Sequence, residues 1–451
     1  LNFDGWEALK LHAQFSSQGG DCRHGLALRI APDSRVVGRT AYPLLTIVVM
    51  AVVAVLGGVN GWDAMADFAA DHRECFAKFL PLPGGTPSAD TFRRVLSALR
   101  PEPFARCVEA WVSEVVGALA GEVIAVDGKR PRRAGKRAPL WMPAARHRVH
   151  VWATGQRLLL AQTAVEGTPQ EPAALLKLLG LLDVRDAVVT GDAKFCTRAV
   201  AEAMVEAGAG YVLRLKRNRE AMFDAAEAAF QRLTVKDGAG VEVRHHRETS
   251  AGHGRTEARE GWSIAASAVP GLSDLLPGVR SVTRILRTRA TGRGEVSRDD
   301  GFYVSSLRPR VRRIMKAARE HWRIEKALHW VLDVHMREDD CAVRDGNGVQ
   351  NLATLRGLSR MALARDDSFK AGIARKQARV ARNTQYRELI LARMFADDSV
   401  CLPWGRPQRV RGGPRSACDA RPVRAPPRVI SWGTGAALRV AARLPRRENT
   451  P

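Results

Sequence analysis

The stretch HWRIEKALHWVLD, residues 321–333, carries the pattern on which the fold turns. At about 100° per residue, Ile324, Ala327, Leu328, Val331 and Leu332 fall in one sector, which predicts an amphipathic helix running from about Val311 to Asp333. Glu325 lies beside the edge of that sector. His321, Glu325, His329 and Asp333, spaced by four, form a polar strip along the same border. A helix of this kind packs its apolar face on a sheet and lets a border carboxylate reach over the sheet's edge. Taken singly, Glu325 is an ordinary solvated residue, so its meaning depends on what lies upstream.

Upstream, two short apolar runs each finish on an aspartate. Residues 123–126 predict a strand ending at Asp127, and residues 187–190 one ending at Gly191-Asp192. Between them, residues 147–153 and 158–165 alternate about Thr154-Gly155-Gln156 and predict a hairpin, followed by a helix over about 171–182. A helix over 198–207 stops at Gly208, a good C-terminal signal. Residues 211–215 predict a further strand, leading into Lys216-Arg217-Asn218. Strand, hairpin, helix, strand, helix, strand is the order of a ribonuclease-H-like core. Residues 220–307 differ, with strand-like pieces at 241–243 and 281–289 among Gly and Arg, and predict a β-rich insertion.

An aspartate after a strand is commonly a turn residue that bonds nearby amides. Here Asp127, Asp192 and Glu325 all fall where adjacent strands and a packed helix converge. Three such acids suit Mg²⁺, which takes carboxylate oxygens, keeps several waters and accepts a phosphate into its shell. Two ions about 4 Å apart activate a water or a 3′-hydroxyl and stabilise the leaving oxygen. In that scheme Asp127 bridges the ions, and Asp192 and Glu325 each hold one.

The chain has 451 residues, enough for two or three domains, with 71 Lys+Arg against 47 Asp+Glu, a formal charge of +24 and a pI near 10.7. Such an excess favours nucleic acid as a partner, although abundant Arg, Ala and Gly also follow from high-GC codon usage. Lys129, Arg130, Arg132 and Arg133 follow the first aspartate, and Lys216, Arg217 and Arg219 the last core strand. Lys129, Arg130 and Lys216 are therefore expected to grip DNA phosphates.

Seven Cys with no C-x-x-C pair argue against a zinc ribbon or a disulfide framework and fit a reducing cytoplasm. His321, Glu325, His329 and His335 lack the H-E-x-x-H spacing of a zinc site, and there is no phosphate-binding loop or dinucleotide fingerprint. The apolar run at 43–58 is short for a membrane span and predicts a buried helix. The organisation expected is an N-terminal extension (1–32), a small helical domain (33–120), a catalytic domain (121–396) with its insertion, and an Arg/Pro-rich, disordered tail (397–451).

At these residues the chain resembles the H-repeat-associated transposases of bacterial insertion sequences, in the DDE superfamily. The likeness begins at Asp33-Ser34-Arg35 and Tyr42-Pro43-Leu44, and continues through Phe79 to Gly84 and Pro87 to Phe92. Val126-Asp127-Gly128-Lys129 resembles the family's first catalytic segment, Thr190-Gly191-Asp192-Ala193 the second, and YVLRLKRN (211–218) the strand after it. His253-Gly254-Arg255 and Tyr303 to Leu307 resemble marks of the insertion. The longest match runs from His321 past Glu338-Asp339 to Asn351-Leu352. Lys326 stands where the family usually has Asn, and His335-Met336 replaces a Thr-Phe-like pair.

The resemblance implies a ribonuclease-H-like catalytic domain with an inserted β region and a helical domain before it. It further implies metal-dependent DNA cleavage at element ends and strand transfer into target DNA. It carries catalytic and metal-binding roles onto Asp127, Asp192 and Glu325, with two Mg²⁺ ions that Mn²⁺ replaces. DNA contact is expected for Lys129, Arg130, Lys216, Asn218, His321 and Arg323, and support of the ligands for His329 and Asp333. The expected partners are the element's terminal repeats, target DNA and a second copy of the chain, in the bacterial cytoplasm at the nucleoid. No membrane and no small-molecule cofactor are expected. Two other readings stay open: a copy that binds DNA without catalysis, and a nuclease that cuts without joining.

Overall fold

The computed structural model describes residues 40–395 except 117, 132–146, 236–239, 253, 293 and 345. The expectations for residues 1–32, Asp33 to Arg35, Arg132, Arg133, His253 and 397–451 lie outside the described residues.

Five helices come first: α1 (Leu44–Leu56), α2 (Trp62–Asp71), α3 (Arg73–Ala77), α4 (Ala89–Ala98) and α5 (Pro101–Val115). The apolar run forms α1, buried along its length except at Leu45. No described helix is long and apolar enough to cross a membrane. Ser88 caps α4 as its sequence position suggests, its Oγ accepting from the Thr91 amide at 3.3 Å. The other end of α4 is satisfied from afar: the buried Asn351 side chain donates to the carbonyls of Leu96 (2.7 Å) and Leu99 (2.9 Å). Asn351 belongs to α11 (Gly346–Arg365), which packs on α1, α4 and α5, so one apolar core runs from these helices into the sheet.

The sheet has nine strands in the order β3-β2-β1-β4-β5-β9-β8-β7-β6. They are β1 (Val123–Lys129), β2 (His147–Ala153), β3 (Leu158–Val165), β4 (Val188–Gly191), β5 (Gly210–Leu215), β6 (Arg244–Gly252), β7 (Arg255–Ala265), β8 (Ser281–Thr291) and β9 (Val296–Ser305). β1, β4 and β5 run parallel; every other pairing is antiparallel. The helices between strands are α6 (Glu171–Leu179), α7 (Arg198–Glu206), α8 (Glu220–Val235) and the single turn α9 (Leu272–Leu275). Val189 and Leu213 face α6 and α7, while Val188 and Val212, one residue out of phase, face α10 (Val311–His321). Both faces of the central strands are therefore covered, which suits their near-continuous apolar runs.

Three expectations are corrected here. β1 does not stop at Asp127: its ladder with β2 continues through Asp127↔His150 to Lys129↔Arg148, placing the aspartate within the strand. The segment 220–307 opens with the 16-residue α8 rather than with strand, and Val241 to Val243 lie outside any strand. The helix predicted to Asp333 ends as α-helix at His321 and, after a turn, continues as two π-helical segments, Glu325–His329 and Val331–His335. Their i→i+5 bonds, such as Met336 N to Val331 O at 2.9 Å, widen each turn and break the spacing-by-four register. C-terminal to α11, α12 (Ile373–Arg382) and α13 (Thr384–Phe395) complete the described chain.

Candidate active site

The parallel pairing of β1 with β4 places Val126 opposite Gly191, so Asp127, still within β1, and Asp192, just past the end of β4, stand side by side. Asp127 Oδ1 accepts from the Gly128 amide at 2.8 Å, and Asp192 Oδ1 from the Lys194 amide at 3.2 Å. Between them lies the Lys194 ammonium, 3.6 Å from Asp127 Oδ1 and 3.6 Å from Asp192 Oδ2. Burial pushes the Asp127 carboxyl up to about 6, with Lys194 opposing the shift and Asp192 adding to it. Asp192 is also raised by burial, against Lys194. Two carboxylates that resist ionisation, converging on one cation position, make a site suited to concentrated positive charge.

A third carboxylate stands behind them. Glu171, the first residue of α6, is 0% exposed, with Oε2 2.9 Å from Lys194 Nζ and Oε1 2.6 Å from His147 Nε2. It packs on the bare backbone of Gly128, where a Cβ would meet its carboxyl atoms at 2.4–2.5 Å. The sequence marks Glu171 only as an acid before Pro172 in a helical first turn, a common place for a dipole-compensating residue. Lys194 carried no signal beyond standing two residues after Asp192.

The helix strip arrives over this edge with its members separated. His329 Nδ1 lies 3.8 Å from Asp127 Oδ2, and its Nε2 is 3.1 Å from His150 Nδ1, so His329 stands against the first aspartate. Burial first, then Lys129, lowers His329 to about 3, and burial holds His150 well below the usual histidine range. The two imidazoles are neutral at pH 7, one donating and one accepting. Asp333 reaches Lys129 at 2.6 Å rather than either aspartate. Glu325 is exposed on the far border. Among the described residues no three His, Cys, Asp or Glu side chains converge closely enough to hold a metal. The structure thus brings Asp127 and Asp192 together and leaves Glu325 apart, on the wall of a groove.

That groove, about 1010 Å³, runs between the 311–327 helix and β7–β9. Arg255, Arg259, Arg287, Arg289, Arg319 and Arg323 line it with Trp322 and Glu325. Glu257 and Asp299 neutralise part of this charge by pairing with Arg259, Arg287 and Arg214. Arg255 and Arg289 form no ion pair among the described residues.

Two expected DNA contacts are corrected. Lys129 is 5% exposed and its ammonium is shared by Asp333 and Glu338, so no phosphate reaches it. His321 is 7% exposed, its Nδ1 3.3 Å from Thr190 Oγ1, with burial lowering it to about 4. It packs the helix onto β4 instead. Asn218 donates to the Ala193 carbonyl at 3.0 Å and so ties the loop after β5 to the loop bearing Asp192. Arg130 and Lys216 are exposed, and Arg323 pairs with Glu320 on the groove wall.

With known proteins the likeness is extensive. The family described as Transposase DDE domain matches residues 119–362, and the one described as DDE_Tnp_1-associated matches residues 27–112. An H repeat-associated putative transposase, YhhI of Escherichia coli K12, is 28% identical over 371 residues, 81% of this chain and 96% of its own. A putative transposase, YncI of Escherichia coli O157:H7, is 30% identical over 373 residues, 81% of this chain and 93% of its own. An uncharacterized protein in the dhlA 3′ region of Xanthobacter autotrophicus is 33% identical over 235 residues, 52% of this chain and 77% of its own.

Proposed function

The chain belongs to the transposase DDE domain family, and from that premise we propose that it cuts DNA at the ends of an insertion sequence and joins the freed ends to target DNA. The observation that carries the proposal is the pair Asp127 and Asp192, brought side by side by two adjacent parallel strands around a single cation position. The sheet order β3-β2-β1-β4-β5, antiparallel on one side and parallel on the other, supports a ribonuclease-H-like core for this chemistry. β6 to β9 extend that sheet as an insertion, and α1 to α5 precede it as the helical domain.

The donor set fits a hard divalent ion, because carboxylate oxygens are what Mg²⁺ or Mn²⁺ prefers and the buried aspartates favour a nearby cation. Asp127 and Asp192 would hold it, and Glu325, apart from them on the groove wall, would have to be carried in by the neighbouring helix. Such an ion supplies Lewis acidity and lowers the pKa of a coordinated water or hydroxyl. The chain's own residues do the rest. His329 and His150 keep neutral rings against Asp127, leaving its negative charge directed at the site. The unpaired groove arginines, with Arg130 and Lys216 at the strand ends, hold backbone phosphates beside it. In cleavage, a water oxygen bonds to phosphorus as the P–O3′ bond breaks, leaving a 3′-hydroxyl. In joining, that hydroxyl bonds to a target phosphorus and a second P–O bond breaks, so the number of ester bonds is conserved. Two ends need two sites, so the active species is proposed to be a homodimer on DNA.

The test is a Mg²⁺-dependent nicking and joining assay on duplexes bearing the element's terminal repeats. Asp127→Ala, Asp192→Ala and Glu325→Ala should each abolish product and leave most DNA binding intact. Cleavage at the wild-type rate by any of the three would refute the assignment of that carboxylate, and by Asp127→Ala the reading as a whole.

A further inference from the structure

Resting on the metal reading above, one side chain stands where a metal would need to be. Lys194 reaches three carboxylates at once, at 2.9 Å from Glu171 and 3.6 Å from each of Asp127 and Asp192. Glu171 is fixed in place: fully buried, backed by Gly128 where no Cβ fits, and with its other oxygen 2.6 Å from His147 Nε2. The anchor therefore cannot swing out, whereas the ammonium, on a four-carbon stem and 25% exposed, can. An ammonium and a divalent ion both depend on the same aspartate charge, and two cations sharing such a site repel strongly at low dielectric.

We propose that Lys194 is an internal counter-ion, set by Glu171, that competes with divalent metal for Asp127 and Asp192 and is drawn away by a phosphate of bound DNA. Metal uptake is then weak in the free protein and tightens on the substrate, which keeps the nucleolytic centre unarmed away from DNA. Lys194 is in this sense a positioning residue acting through the aspartates.

Mn²⁺ binding to the full chain, followed by the loss of the free-ion electron paramagnetic resonance signal, reads the competition without any turnover. In the absence of DNA, Lys194→Met should bind Mn²⁺ at least tenfold tighter than wild type, and Lys194→Arg, which retains the charge, should stay within about threefold of it. Adding a terminal-repeat duplex should tighten wild type at least fivefold and Lys194→Met much less. Because Lys194→Met leaves Glu171 buried without its cation, the double variant Lys194→Met/Glu171→Gln is measured beside it, and thermal melts establish that each is folded. A merely structural lysine would leave Mn²⁺ affinity unchanged or weaken it. Folded single and double variants that bind Mn²⁺ no tighter than wild type overturn the counter-ion, and equal tightening of wild type and Lys194→Met by DNA overturns its release by phosphate. If wild type binds no Mn²⁺ with or without DNA, or Asp127→Ala/Asp192→Ala binds it equally well, the metal reading itself falls, and this proposal with it.

Discussion

Replacing Glu338 by Gln should cost the protein more stability than almost any other single charge change, although the residue lies far in sequence from the strands it holds. Glu338 is 5% exposed and sits over Lys129 and Arg148, which face each other across β1 and β2. It accepts from both, and Asp333 takes a second side of the Lys129 ammonium at 2.6 Å. Burial alone would raise its pKa, but Arg148 and Lys129 hold it well below the usual carboxylate range. Removing one partner of a buried ion pair leaves the other charge uncompensated, which typically costs about 3–5 kcal/mol. For Glu338→Gln the lower end applies, about 3 kcal/mol, because Asp333 still serves Lys129. Lys129→Met should cost a similar amount, and the double variant should cost less than the two together by about 1–3 kcal/mol of coupling. Urea unfolding followed by far-ultraviolet circular dichroism gives all three values. In the folded range, Lys129→Met should bind DNA with unchanged affinity and an unchanged slope against salt, since a buried lysine neutralises no phosphate. A stability loss below about 1 kcal/mol, together with a salt slope shallower by about one unit, would refute the reasoning and return Lys129 to the DNA surface.

Three further outcomes follow from the same geometry. His321 and His329 are held to about 4 and about 3 by burial, so between those values and the unfolded value near 6.5 the unfolded chain binds more protons. Stability is therefore full above about pH 6.5 and falls with acid, by about 2 kcal/mol per histidine at pH 5, while Asp127, raised to about 6, returns about 1 kcal/mol. His321→Gln should flatten the profile by about 2 kcal/mol, and an unaltered slope between pH 7.5 and 5 would count against its burial as a neutral ring. Gly128→Ala drives a methyl into the Glu171 carboxyl, and with Glu171 unable to retreat it should lower stability by about 1–3 kcal/mol; a melting temperature equal to wild type would show that α6 yields. Arg255→Ala and Arg289→Ala should weaken DNA binding on all sequences alike and each reduce the salt slope by about one unit, with no change in either placing the duplex outside the groove.

Much of the sheet-bearing part of the chain could be read from sequence because its signals are local. The hairpin at 147–153 and 158–165 coincides with β2 and β3, its bounds set by alternation and a short turn. Asp127 and Asp192 stand side by side because the apolar runs before them are the neighbouring parallel strands β1 and β4. Three things were hidden, each for a physical reason. Lys129 reads as part of a solvated basic run, and only a carboxylate 209 residues away buries it. Residues 220–235 carry Ala and Glu at helix-favouring density, but the Gly- and Arg-rich sequence after them obscured the helix α8. Spacing by four along 321–333 fits α and π turns alike, so the pattern gives no sign that Glu325–His329 and Val331–His335 are π-helical.

The π-helical stretch makes residue count matter between Ile324 and Met336 as much as residue identity. Each widened turn holds one residue more than an α-helix would use over the same rise, so the stretch works as a spacer cut to length. Deleting a single residue there would leave a good helix, with every backbone bond remade one step tighter. It would also rotate everything downstream by about 100°, carrying Asp333 and Glu338 off Lys129 and Arg148. An insertion or deletion inside this stretch is therefore expected to be as damaging as losing the carboxylate it carries.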